Sequence, residues 1–124
     1  MKITQECPNL VYLNLSKLSI SNFNLGRLIK KCSLLKELSI AHCTQITDSS
    51  LTKLFHYCKN LEKLNITFCH LITGKCFVEK SIPVNLKHLV IDYCENVNIY
   101  STVCSIFLQK TKLSLNNIYF MNKR

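Results

Sequence analysis

Eight cysteines and four histidines in 124 residues are the side chains with the most chemistry to offer, as metal ligands, disulfide partners or nucleophiles. Structural zinc draws on closely spaced pairs such as Cys-x-x-Cys. None occurs; His42-Cys43 and Cys69-His70 are adjacent residues with no second pair to match them. A disulfide framework suits small secreted chains that are poor in core residues. Here 48% of the chain is apolar, and the opening MKITQECPNL carries neither the apolar core of a secretory signal nor the Arg-rich face of a transit peptide. Catalysis needs a nucleophile, a base and an orienting group that converge. His42, His56, His70 and His88 are scattered among seven acids, without an HExxH, G-x-S-x-G or P-loop pattern. His56 falls near the end of a predicted helix, where a cation is favoured. No catalytic residue, metal or cofactor is expected, and the chain does not read as an enzyme.

The cysteine spacing points instead to the elements that carry them. Cys7, Cys32 and Cys58 lie 25 and 26 residues apart, and Cys43, Cys69 and Cys94 lie 26 and 25 apart. Aligned on this period, the chain reads CPNLVYLNLSKL from Cys7, CSLLKELSIAHC from Cys32, CKNLEKLNITFC from Cys58 and PVNLKHLVIDYC from Pro83. Each copy places apolar residues as Leu-x-x-Leu-x-Leu/Ile: Leu10, Leu13, Leu15; Leu35, Leu38, Ile40; Leu61, Leu64, Ile66; Leu86, Leu89, Ile91. A fifth, degenerate copy is read from KTKLSL, with Leu113 and Leu115 at the last two positions and Lys110 at the first. A unit this short cannot bury its own apolar face and must stack on its neighbours, which is the signature of a leucine-rich repeat.

The expected fold is therefore an α/β leucine-rich-repeat solenoid with short parallel strands on the concave face and helices on the convex face. One domain spans residues 1–124, with repeats starting near 7, 32, 58 and 83 and a terminal repeat near 107. The columnar cysteines act as small buried apolar residues with a weak thiol donor, and Cys76 and Cys104 as core residues of helices. Ser21 or Asn22 caps a first helix holding Phe23, Leu25, Leu28 and Ile29. Thr47 or Asp48 caps a second holding Leu51, Leu54 and Phe55. A third helix is expected after Thr73, with Ile72, Cys76 and Phe77 inward and Pro83 as its stop. A fourth carries Ile99, Val103, Cys104, Phe107 and Leu108. The strand so close to Met1 predicts an uncapped apolar end at Leu10, Leu13 and Leu15 that pairs with another chain or with further repeats.

The fragment CSLLKELSIAHCTQITDSSLTKLFHYC, residues 32–58, joins a Cys before the first Leu, a Cys closing the strand, an Ile-Thr-Asp turn and a helix that ends at the next Cys. It resembles the cysteine-containing leucine-rich repeat, a subfamily best known from F-box and leucine-rich repeat proteins. The third copy matches up to Leu71-Ile72-Thr73, while the first has Leu18 and the fourth Pro83 at a Cys position. The resemblance implies the substrate-recognition repeats of an F-box type SCF ubiquitin ligase, with adaptor and cullin engaged only through an F-box, which these residues do not contain. The subfamily also implies an alternative, a non-enzymatic scaffold of a ciliary or cell-cycle regulator.

Residues between the inward leucines alternate to the open face of the sheet. Three columns follow: Tyr12, Glu37, Lys63, His88; Asn14, Ser39, Asn65, Val90; and Ser16, Ala41, Thr67, Asp92. The protein-binding candidates are Tyr12, Asn14, Ser16, Glu37, Ser39, Lys63, Asn65, Thr67, His88 and Asp92. This mixture of an aromatic, both charges and several amides suits a protein partner. His42, Phe68, His70 and Tyr93 follow the strands on the rim, where packing over the turns is the favoured reading for Phe68 and Tyr93. Sixteen Lys and Arg against seven Asp and Glu leave a net charge of +9, which favours acidic surfaces in general. The lysines are spread along the repeats without basic-aromatic interleaving, so nucleic acid is not the expected partner. No run approaches the roughly 18 apolar residues of a membrane span, and a cytoplasmic or nuclear protein is expected.

Overall fold

A computed structural model describes residues 8–77, 82–98 and 118–119 of the chain. Its strands are β1 (Tyr12–Asn14), β2 (Glu37–Ser39), β3 (Lys63–Asn65), β4 (His88–Val90) and β5 (Ile118–Tyr119), and its helices α1 (Asn22–Lys31) and α2 (Asp48–Tyr57). The strands form one parallel sheet in sequence order. Leu13, Leu38, Leu64 and Leu89 are direct partners across it, so the leucine period is also the sheet register. The fold is an α/β leucine-rich-repeat solenoid.

Each layer of the stack is one column of the sequence. Leu15, Ile40, Ile66 and Ile91 form one buried row, and Leu35, Leu61 and Leu86 another. Leu10 and Leu13 of the first copy are only partly buried, because no described strand lies beyond them. Helices close the core from the other side. Ser21 is the N-cap of α1, its side chain accepting from the Asn24 N–H, and Thr47 caps α2 by accepting from Ser49. Leu51, Leu54 and Phe55 of α2 are fully buried, as are Leu25, Leu28 and Ile29 of α1. Phe23 departs from the expectation: it is 70% exposed and faces solvent. At the first turn of α1 it lies on nearly the opposite side of the helix from the stripe formed by Leu25, Leu28 and Ile29.

The third copy has no helix among its described residues 70–77. Gly74 takes a φ of 95° and its carbonyl accepts from the Phe77 N–H at 3.0 Å, so the chain turns where α2 begins in the copy before. Ile72, Cys76 and Phe77 nonetheless enter the core as expected. The fifth strand also sits elsewhere. Ile118 pairs with Leu89, five residues beyond Leu113, the residue expected at that place. The interval from β4 to β5 is longer than the others. Cys7, Ile99, Val103, Cys104, Phe107, Leu108, Lys110, Leu113 and Leu115 lie outside the described residues.

Backbone carbonyls at the strand ends already accept a turn N–H, and a second lone pair remains for a buried donor, which cysteines supply. The thiols of Cys43, Cys69 and Cys94 donate to the carbonyls of Leu15, Ile40 and Ile66 at 3.2, 3.1 and 2.9 Å. Each thiol thus fastens its repeat to the one before it. Cys58 does the same at the helix end, donating to the Cys32 carbonyl at 3.3 Å. Burial, foremost, pushes Cys58 and Cys69 up to about 12 and Cys94 up to about 11, so all three remain donors well above neutral pH. The six cysteines of the described residues are buried, and none of them is in a disulfide.

A second fastening joins the helix starts. Asn22 Oδ1 accepts from the Thr47 N–H at 3.1 Å and from the Ser50 hydroxyl. One repeat later, Asp48 takes the equivalent place. Its Oδ1 accepts from the N–H and hydroxyl of Thr73 at 2.7 and 3.0 Å, and its Oδ2 from the N–H groups of Gly74 and Cys76 at 3.0 Å each. Burial opposes the charge, but these bonds outweigh it and hold the Asp48 carboxyl below the usual value.

Candidate protein-binding face

The pleat turns alternate residues of each strand outward, and the parallel register aligns them into columns. Tyr12, Glu37, Lys63 and His88 stand side by side, as do Asn14, Ser39, Asn65 and Val90. Together they line a shallow groove of about 510 Å³ whose floor is the strand backbone at Leu38 and Leu64, their side chains being buried on the other face. Tyr12, Asn14, Glu37, Ser39, Lys63, Asn65 and His88 of the expected residues meet there. Ser16, Thr67 and Asp92 do not; they lie one step further along, at the turns that end the strands.

Two charge pairs cross the repeats, Lys63 Nζ to Glu37 Oε1 and Lys87 Nζ to Glu62 Oε1, both at 3.4 Å. All four side chains keep contact with water, so these pairs add little to stability and remain available to a partner. The amides have partners of their own. Asn14 Oδ1 accepts from the Ser16 N–H, and Asn65 Oδ1 accepts from the Thr67 N–H and hydroxyl. Ser16 and Ser39 hydroxyls meet at 2.7 Å. These residues therefore shape the end of the groove as well as offering polar atoms to it.

Beyond the third column the backbone turns through one left-handed residue in each copy: Lys17, His42, Phe68 and Tyr93, with φ between 56° and 68°. The ladder continues through them, the N–H of Lys17, His42 and Phe68 donating to Ala41, Thr67 and Asp92. Left-handed backbone costs a non-glycine residue roughly 1–2 kcal/mol. Stacking offsets it along the rim. The Phe68 ring lies 4.3 Å from Tyr93 and 4.5 Å from His42, both stacked, and His70 meets it edge-on at 6.0 Å. The sequence places these aromatics on the rim; their continuous stack depends on the equal left-handed turns. Phe68→Gly is accordingly expected to cost about 1–3 kcal/mol, because two stacked contacts go with the ring. Lys17→Gly, at a position outside the stack, should stay within about 0.5 kcal/mol, as relief of the left-handed strain balances the added chain entropy. Urea midpoints of the two variants check the contrast.

Asp48 and Asn22 are the residues that reading by repeat missed as a pair. Thr47, not Asp48, caps α2, and the acceptor side chain after the cap reaches across to the next copy. Their shared column, 26 residues apart, is the signal that marks them.

Parallel strands in the register of their leucines, with helices behind them and a polar groove in front, define a leucine-rich-repeat module of the protein-interaction kind. The family model described as Leucine Rich repeat matches residues 31–55 and 57–75. Among solved structures, the chain is similar to one in the crystal structure of the yeast Rad7 and Elc1 complex, at 22% identity with a TM-score of 0.68 over 92% of this chain. It spans 30% of that chain. It is similar also to the tropomodulin C-terminal domain of Caenorhabditis elegans, at 14% identity and a TM-score of 0.60, covering 98% of this chain and 80% of that one. Both likenesses are ones of fold. No curated protein sequence matches. Among the described residues, no helix is long and apolar enough to cross a membrane, and no group of three or more His, Cys, Asp or Glu side chains is placed to hold a metal ion.

Proposed function

We propose that this chain holds a protein partner against the open face of its sheet, with Tyr12, Glu37, Lys63 and His88 along one side of the contact and Asn14, Ser39 and Asn65 along the other. Ser16, Thr67 and Asp92 extend it at the strand ends. The observation that carries the reading is the groove these columns share. It combines an exposed tyrosine, both charges and amide groups on one open face, a mixture suited to recognising a protein surface.

Its setting is the substrate-recognition part of an F-box type SCF ubiquitin ligase, in the cytoplasm or nucleus, with adaptor and cullin reached through an F-box. Support comes from the cysteine-containing pattern of residues 32–58 and from a fold neighbour that was crystallised as a complex of two proteins.

Tyr12 is 62% exposed, so Tyr12→Ala should leave stability within about 0.5 kcal/mol. Affinity for the captured partner should fall on the order of 30-fold if the ring is an anchor. A photo-crosslinking residue at Asn65 should label the same partner, and one at Asn60, outside the groove, should not. Equal labelling from both would overturn the site. Depleting the gene product should lengthen the partner's half-life and reduce its ubiquitin conjugates. An unchanged half-life would set aside the ligase and leave a scaffold.

A further inference from the structure

The convex side carries a second groove, about 450 Å³, between α1 and α2. The two helices run side by side in the same direction, because Asn22 at the start of one bonds Thr47 at the start of the other. Gly26 makes the floor. It is buried, and the stem of Lys53 lies across it, with Cδ and Nζ each 3.4 Å from where a β-carbon would stand.

Two rings mark the ends: Phe23 in the first turn of α1 and Tyr57 in the last residue of α2, both exposed. Between them the lining is basic, with Arg27, Lys30 and Lys53 and no carboxylate. The lysines of the opposite face are different, since Lys63 and Lys87 have Glu37 and Glu62. Among the described residues, no carboxylate pairs with Arg27, Lys30 or Lys53. Lys30 in the last turn of α1 complements the helix dipole, but Arg27 and Lys53 lie within their helices and have no such duty.

We propose that this groove docks an acidic peptide segment bearing an apolar side chain at each end, the carboxylates meeting Arg27, Lys30 and Lys53 and the apolar groups packing on Phe23 and Tyr57. Helical rise places the two rings roughly 12 Å apart along the groove. An extended peptide covers that distance in about four residues, so the fitting pattern is an apolar residue, three acids and a second apolar residue. Single-stranded nucleic acid fits less well. It stacks successive bases on a series of open aromatic faces, whereas these two rings are far apart and the Arg27 guanidinium already stands over Phe23, 5.8 Å from its centroid.

The probe is fluorescein-labelled Gly-Ser-Phe-Glu-Asp-Glu-Leu-Ser-Gly, followed by anisotropy with the full chain. Arg27→Glu combined with Lys53→Glu should weaken binding at least tenfold, and Phe23→Ser at least fivefold, with circular dichroism unchanged. A control peptide with Ser in place of Phe and Leu should bind at least fivefold more weakly than the probe. If the double variant does not fold, Lys30→Glu carries the charge test, with a loss of at least threefold expected. Equal binding of the control peptide would reduce the effect to attraction between a basic chain and any acid, and overturn the proposal. So would unchanged affinity in the charge variants, or a twelve-nucleotide oligothymidylate that binds more tightly than the peptide and displaces it.

Discussion

Asp48→Ala is expected to destabilise the fold by about 2–4 kcal/mol, since it leaves the N–H groups of Thr73, Gly74 and Cys76 without their charged acceptor. The loss concentrates in the turn of residues 73–76, which depends on that carboxylate for its shape. Asp48→Asn should recover only part of it. One oxygen can still serve Thr73, but the amide group then faces two N–H donors.

The pH dependence identifies the charge as the cause. A carboxyl whose native value is lowered contributes stability above its unfolded value of 3.8 and loses it as pH falls through the native value. The gap between the wild-type and Asp48→Ala urea midpoints should therefore be wide at pH 6 and narrow as pH drops below about 4. A gap that stays constant from pH 6 to pH 3 would show that the side chain acts through packing alone.

The second large effect lies at the other end of the scale. Unfolded thiols release their protons near 9.0, whereas native Cys58 and Cys69 do so at about 12 and Cys94 at about 11. A raised native value gives stability that is complete below the unfolded value and is lost as pH rises toward the native one. Each thiol then removes about 1.4 kcal/mol per pH unit above 9. Cys69 is raised in part by its neighbour Cys94, so the three losses are coupled, but all act in the same direction and the fold loses stability progressively above pH 9. Cooperative unfolding is expected between pH 10 and 11, seen as loss of far-ultraviolet circular dichroism. Alkylation by iodoacetamide, followed by mass spectrometry, should reach these cysteines only as that transition occurs. Gradual alkylation of an intact fold near pH 9 would disprove the account.

What the amino-acid pattern makes legible is whatever recurs within a single copy. Leu38 and Leu64 could be placed side by side before any coordinates, because inward position and register follow from the same spacing. The open-face column of Tyr12, Glu37, Lys63 and His88 follows from that register and the alternation of a strand. A cap at Thr47 or Asp48 follows from side chain and place, and the structure selects Thr47. What escapes is whatever depends on two copies together, or on one copy's departure from the pattern. Gly74 stands where the copy before starts its helix, and the described residues 70–77 turn instead, though Ile72, Cys76 and Phe77 keep their burial. Phe23 is apolar, but its place on the helical circle turns it to solvent. The Asp48 fastening and the Phe68 stack require neighbouring turns to be superposed, which no single copy encodes.

The thiol fastenings all point one way. Cys43, Cys69 and Cys94 each reach back to a carbonyl laid down earlier in the chain, and Thr73, Gly74 and Cys76 reach back to Asp48. During synthesis on a ribosome, the acceptors are the first to emerge. Every new layer finds its anchorage already built, so growth can proceed vectorially, like courses of brick, without waiting for the far end of the polypeptide.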